Sequence, residues 1–157
     1  MMIGTGPNPG PGTGGTGHDT SRFDEWLRQR LADKGYQELR VTQQMHPVRL
    51  AFRWPPSSAF YAPRVIAVVN EGTISNSVKE ICKRLEPWFA TTIANRQGGD
   101  GLLLLACYNP SAATVDDIKN ASFYAGNAAI AVAAYDLLHA KHWESSTNTC
   151  VADAFGT

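Results

Sequence analysis

Six polar side chains fall where the chain should build a binding edge. Asn70, Glu71, Thr73 and Ser75 follow one strongly apolar run, and Tyr108 and Asn109 follow another. Such runs read as parallel strands, and open α/β sheets bind ligands just beyond the carboxyl ends of those strands, where loops converge. Amide, hydroxyl and carboxylate groups there can orient a small polar molecule. The N–H groups that open the next helix can accept an anion. Glu71 is the one titratable carboxylate of the set, so no acid–base pair is in view. Nucleophilic catalysis finds no support either. There is no G-x-S-x-G elbow, no P-loop, and no cysteine beside a histidine in sequence.

Asp136, His139 and His142 recur at intervals of three. On a helix that spacing sets neighbours about 60° apart, close enough for two histidines to share a metal. Zinc-binding helices, however, pair histidines four apart with a base between them, and histidines at a helix end commonly complement its dipole. Neither a metal nor a cofactor is expected. Gly12 to Gly17 spells G-x-G-x-x-G, but Pro/Gly repeats precede it where a strand should lead in, so the match is compositional. Arg40, Arg49 and Arg53 are expected on the outward side of two adjacent strands, with Trp54 at the end of the row. Such a face can bind phosphates or stacked bases, although Glu38 sits among the arginines.

The elements that hold these groups can be read from periodicity. Residues 1–18, rich in Gly and Pro with little to bury, are expected to be flexible. Residues 19–144 read as one α/β domain, with α+β as the alternative, and 145–157 as an irregular tail in which Val151 and Phe155 are candidates to dock. A first helix starts at Ser21, with Phe23, Trp26, Leu27 and Leu31 in its stripe and Gly35 as its stop. Strand 1 spans about Tyr36–Thr42, and Met45-His46-Pro47 turns into strand 2. There Val48, Leu50, Phe52 and Trp54 point one way and Arg49, Ala51 and Arg53 the other. Arg64–Val69 is a buried strand 3. Ser77 and Glu80 form a capping box for a second helix, which Pro87 should kink or restart. After a loop at Gln97–Gly101, Leu102–Tyr108 completes a right-handed βαβ unit.

From Thr114 and Asp117 onwards the chain reads as a last helix, apolar on nearly every side. Ala125, Ala129 and Ala133 form a small-residue stripe on it that can pack on the sheet or on a second copy of the molecule. The whole is a mixed four-stranded sheet in the order α-β-β-β-α-β-α, with strands 1 to 3 antiparallel, strand 4 parallel to strand 3, and helices packed on the sheet.

The order helix–strand–strand–strand–helix–strand over residues 21–108 resembles the core of the restriction-endonuclease-like nucleases. That resemblance implies an Asp near the second strand and a Glu/Asp-x-Lys on the third, holding divalent metal for phosphodiester cleavage. Strand 2 here has no acid, and strand 3 runs out as Val68-Val69-Asn70-Glu71-Gly72 with no Lys in place. What the resemblance implies is therefore a degenerate domain that binds nucleic acid without cutting it.

Composition narrows the partners. Lys+Arg and Asp+Glu are 14 each, so no global field draws in nucleic acid or an anionic membrane. No apolar run approaches the roughly 18 residues that span a bilayer. Cys82, Cys107 and Cys150 are too far apart for a zinc or disulfide pattern, which fits a reducing, cytoplasmic setting. Charged residues are 18% of the chain against roughly 25% in typical soluble domains, so part of the surface is expected to be covered. Low charge, an all-round apolar helix and missing catalytic pairs favour a non-enzymatic interaction subunit, contacting a protein partner or a second copy through Ala125, Ala129 and Ala133. A small-molecule-binding domain or enzyme at the Asn70/Glu71 and Tyr108/Asn109 edge is the alternative.

Overall fold

Three stretches of this chain are apolar without alternation, and such strands are stable only when helices cover both of their faces. The computed structural model describes residues 20–54, 62–69, 78–93 and 98–156. The loop residues Asn70, Glu71, Thr73, Ser75 and Ser77 and the glycine-rich start lie outside them. Within the described residues the protein is a mixed α/β structure of four helices and one seven-stranded mixed sheet. The helices are α1 (Ser21–Asp33), α2 (Val78–Ile93), α3 (Ala112–Lys119) and α4 (Thr149–Phe155). The strands are β1 (Gln37–Leu39), β2 (Val48–Trp54), β3 (Arg64–Val69), β4 (Gly99–Cys107), β5 (Phe123–Ala125), β6 (Ala128–Asp136) and β7 (Lys141–Glu144).

The sheet order is β1-β2-β3-β4-β6-β5, with β7 also on the outer edge of β6. The first three strands form an antiparallel meander, and β3, β4 and β6 are parallel to one another. The expected βαβ unit is present as β3-α2-β4. Every side chain of β3 from Val65 on alternates between two closed cores. Val65, Ala67 and Val69 pack under α2 and α3, while Ile66 and Val68 pack under α1 and α4. Leu103, Leu105 and Cys107 against Leu102, Leu104 and Ala106 repeat the pattern in β4.

The largest departure from the sequence reading is the Ala-rich segment, which is a strand and not a helix. α3 begins earlier, with the Ser111 side chain accepting the Thr114 N–H at 3.1 Å, and ends at Lys119. A two-residue turn at Gly126-Asn127 then joins β5 to β6, with Ala125 opposite Ala128 and Gly126 at a φ of 62°. That turn is tight enough for glycine to be favoured at the left-handed position. Within β6, Ala131, Ala133 and Tyr135 face α1 and α4, and Ile130, Val132 and Ala134 face α2 and α3. Alanine's helix propensity is a weak prior, and burial on both faces overrides it.

Smaller differences have local causes. β1 is only three residues long, and the turn before β2 holds a 3-10 segment at Gln43–Met45 and a cis His46–Pro47 bond. The expected loop at Gln97–Gly101 overlaps β4, which already starts at Gly99. α2 runs without interruption through Pro87, which lies on the exposed side, so the Lys83 carbonyl that loses its partner is on the solvent side too. Residues 145–157, read as an irregular tail, carry α4. Asn148 caps it by accepting the Val151 N–H and reaches across to the Gly101 carbonyl. Val151 and Phe155 dock into the α1-side core as the sequence allowed.

Ala133 and Ala134 are neighbours on opposite faces of β6, and both are fully buried. We expect Ala133→Leu and Ala134→Leu each to overpack a closed core and cost about 1–3 kcal/mol in urea unfolding. Tolerance of either change would mean that one face of this segment is open.

Candidate functional site

Cross-strand pairing lines up one row of side chains at the amino ends of the parallel strands. Trp54 is opposite Arg64, Arg64 opposite Asp100, Asp100 opposite Ala129, and Ala129 opposite Tyr124. Residues directly opposite share a face, so the row lies on the side of α1 and α4. The Arg64 guanidinium sits over the Trp54 ring, 3.8 Å from its centroid. Its Nη1 donates to Asp153 Oδ2 at 3.0 Å, and the Tyr36 hydroxyl donates to the same oxygen at 2.8 Å. Asp153 belongs to α4, so this helix fixes the arginine. Thr149, also in α4, donates its hydroxyl to Asp100 Oδ2 at 2.8 Å. Burial, reinforced by Cys150 and Asp153, drives the Tyr36 hydroxyl far above its usual range, and it stays a neutral donor.

Between these groups is a cavity of about 440 Å³, lined by Trp54, Arg64, Gly99, Asp100, Ala129 and Thr149, with Ala62 and Asn127 completing it. Ala129 is the small residue in the row, and its missing bulk leaves the space open. Ligand sites commonly fall in cavities of roughly 300–1,000 Å³ where a few polar groups converge. A larger groove of about 700 Å³ runs between α2 and α3, lined by Lys79, Lys83, Glu86 and Asp117 around Cys82 and Phe123. Its charged groups are exposed side chains of α2 and α3. Burial pushes the Cys82 thiol up to about 11 and the Cys107 thiol up to about 12, so neither is a thiolate at neutral pH.

The opposite, carboxyl edge was the expected ligand-binding edge, and there the Asp136 carboxylate is bonded to backbone N–H groups. Asp136 ends β6 and is 2% exposed. It accepts N–H bonds from Asn109 and Leu138 at 2.9 Å and from His139 at 3.4 Å, and its second oxygen holds His139 Nδ1 at 2.7 Å. Burial alone would push this carboxyl up. The Asn109 N–H, the His139 ring and the N–H groups of Leu138 and His139 overcome that and hold it below the usual carboxylate range. Asn109 adopts a φ of 49° to reach it. Tyr108 is half-buried beside the α1-side core. Asn70, Glu71, Thr73 and Ser75 lie outside the described residues.

The remaining expectations divide as follows. Asp136, His139 and His142 do not share a helix. His142 is on β7, stacked on Phe155 at 4.1 Å, with its Nε2 3.3 Å from Glu144. Among the described residues no three His, Cys, Asp or Glu side chains converge as metal ligands. Ala125, Ala129 and Ala133 form no helical stripe: Ala125 is in β5, Ala133 is sealed under the helices, and Ala129 floors the cavity. The arginine row also separates. A register shift between Val48 and Leu50 turns Arg49 towards α1, where Nη1 meets Asp24 at 2.5 Å. Arg53 follows Ala51 onto the α2 side, and Arg40 is exposed beyond the end of β1.

Arg64, Asp100, Asn127 and Thr149 were not singled out from the sequence. A signal for two of them existed. Arg64 and Asp100 each stand just before a buried run, and aligning the two runs as parallel strands brings them side by side. Comparison of the chain with protein families, curated proteins and solved structures returns no match.

Asp136 gives a pH-dependent prediction. Its lowered folded-state pKa stabilises the fold above the unfolded carboxylate value, and that contribution is lost as pH falls through the folded value. Asp136→Asn should therefore cost about 1–3 kcal/mol at pH 7 and flatten the loss of stability below about pH 4. Urea unfolding at both pH values checks this. Equal acid sensitivity of the two proteins would show that Asp136 is not the group responsible.

Proposed function

We propose that the protein is a small-molecule-binding domain with its site in the amino-edge cavity over Ala129. The observation that carries the reading is the Arg64 side chain. It is clamped between the Trp54 ring and Asp153, with Asp100 beside it at the cavity wall. Holding a guanidinium, two carboxylates and an indole in one arrangement lowers the entropy that a ligand must overcome on binding. Two α4 residues, Asp153 and Thr149, hold this arrangement, so docking of the last helix and readiness of the site are one event.

This reading departs from an interaction subunit that packs through an Ala-rich helix. With Ala133 sealed inside the sandwich and Ala129 beneath a cavity, those residues offer no continuous outward surface. It also departs from the nucleic-acid reading, since Arg40, Arg49 and Arg53 do not make one basic face. The described part of β3, Arg64–Val69, carries no acid. The binding reading keeps the class of function expected for an α/β sheet but moves the site to the other end of the strands.

Amide NMR with a mixture of small polar heterocycles, sugars and carboxylic acids tests it. Shifts should cluster at Gly99, Asp100, Ala129 and Thr149 and disappear in Ala129→Phe, which fills the floor of the cavity. Hits confined to the α2–α3 groove would overturn the assignment.

A further inference from the structure

We propose that the ligand of this cavity is a flat heterocycle bearing N–H donors, of the kind represented by a nucleobase, held without a phosphate contact. The inference rests on the amino-edge cavity being the binding site. It follows from three properties of the lining: its charge, its shape and its remaining hydrogen-bonding capacity.

Charge disfavours anions. One cation, Arg64, faces two carboxylates, Asp153 at 3.0 Å and Asp100 beside it in the row. Among the described residues, no lysine and no second arginine lines the cavity. The charges of Arg64 and Asp100, the described charged residues of the lining, cancel, so a phosphate or carboxylate entering would meet Asp100 with Arg64 already paired to Asp153. A neutral or cationic ligand pays no such penalty.

Shape and stacking disfavour the polyols. Sugars use the open face of an indole, but here the guanidinium of Arg64 covers one face of the Trp54 ring at 3.8 Å. A guanidinium is itself planar and weakly hydrated, and it stacks readily on flat π systems. The platform therefore selects a flat partner over a puckered one. The volume of about 440 Å³ suits one ring system with a small substituent and not a dinucleotide.

The hydrogen-bonding groups choose among flat ligands. An ionised Asp100 is an acceptor only. Its Oδ2 takes the Thr149 hydroxyl, and Oδ1 has no hydrogen bond from another described residue. A ring N–H or exocyclic amine supplies that missing donor. Stacking on an Arg–aromatic pair with one carboxylate acceptor is chemistry that reads bases by their edges and faces.

The test is calorimetric titration of the full chain with adenosine, guanosine and cytidine, with glucose and ribose 5-phosphate as controls. Titrations are run on wild type, Asp100→Asn and Ala129→Phe, each checked for an unchanged melting transition. At least one nucleoside should bind to wild type, about tenfold or more weakly to Asp100→Asn, and not at all to Ala129→Phe. Its 5′-monophosphate should bind more weakly than the nucleoside. Binding of glucose or ribose 5-phosphate that Ala129→Phe abolishes would overturn the ligand class while leaving the cavity as the site. Nucleoside binding that survives Ala129→Phe would overturn both, and failure of all three nucleosides to bind would overturn the ligand class.

Discussion

The parallel strands β3, β4 and β6 have no open face, and the rest of the molecule follows from that. A strand in this position must present apolar side chains in both directions, and its connections must be long enough to return along a covering layer. Both crossovers, through α2 and through α3, return on one side. The second layer must then come from the segments before β1 and after β7, and α1 and α4 supply it. α1 contributes Phe23, Leu27 and Leu31, and α4 contributes Cys150, Val151, Ala154 and Phe155, all at most 2% exposed. The two helices meet over the sheet, where Trp26, Phe155 and Tyr135 are in ring contact. A seven-residue helix is marginal by itself. Here it is stable because, together with α1, it closes the second face of the sheet.

That closure explains why the polar row survives at the strand starts. The face above Ile66 and Leu102 is sealed by α1 and α4, but α4 begins over the strand starts and leaves a gap beside Ala129. Polar residues at the mouth of a closed layer must be paired with each other or wet. Arg64, Asp153 and Tyr36 are paired with each other, and Asp100 is paired with Thr149. Gly35 shows how closely this end is fitted. It ends α1 at a φ of 94°, and a Cβ there would come within 2.8 Å of the Trp54 indole nitrogen. The turn that stops the first helix thus also leaves room for the ring on which Arg64 lies.

Much of the first half of the fold was legible because its signals are local. The α1 stripe, the β2 and β3 spans and the βαβ unit all come from runs whose period points to one answer. What failed was the segment after Thr114, where composition and period conflict. Alanine favours helix, and Phe123, Ile130 and Leu137 recur at helical spacing. Yet Gly126-Asn127 is a hairpin dipeptide, and Ile130-Ala131-Val132-Ala133-Ala134 is as continuous as β3. Length decides between a buried helix and a buried strand only when the turns are weighed, and here the turn carried the information. The site was hidden for a different reason. Trp54, Arg64, Asp100 and Ala129 lie up to 75 positions apart, and only the pairing register brings them together. The Arg40, Arg49 and Arg53 row failed through register as well, because one bulged position in β2 moves Arg49 to the α1 side.

The two ends of the sheet also show why a strand-end rule must be weighed against what each end has to hold together. At the carboxyl edge, β4 and β6 leave the sheet side by side and their loops have to be tied. A buried Asp136 does this with three backbone N–H groups and the His139 ring, so its carboxylate is spent on the chain itself. At the amino edge the tie is made by a helix arriving from elsewhere in the sequence. Within the row, its Asp153 and Thr149 each make one hydrogen bond, to Arg64 and to Asp100, which leaves the second carboxylate oxygen of Asp100 facing no described partner. A polar group held by one bond from a distant element keeps both its position and some capacity. A polar group saturated by its own loop keeps only its position. Among the described residues, that difference in remaining capacity is the reason the amino edge is the one proposed to bind.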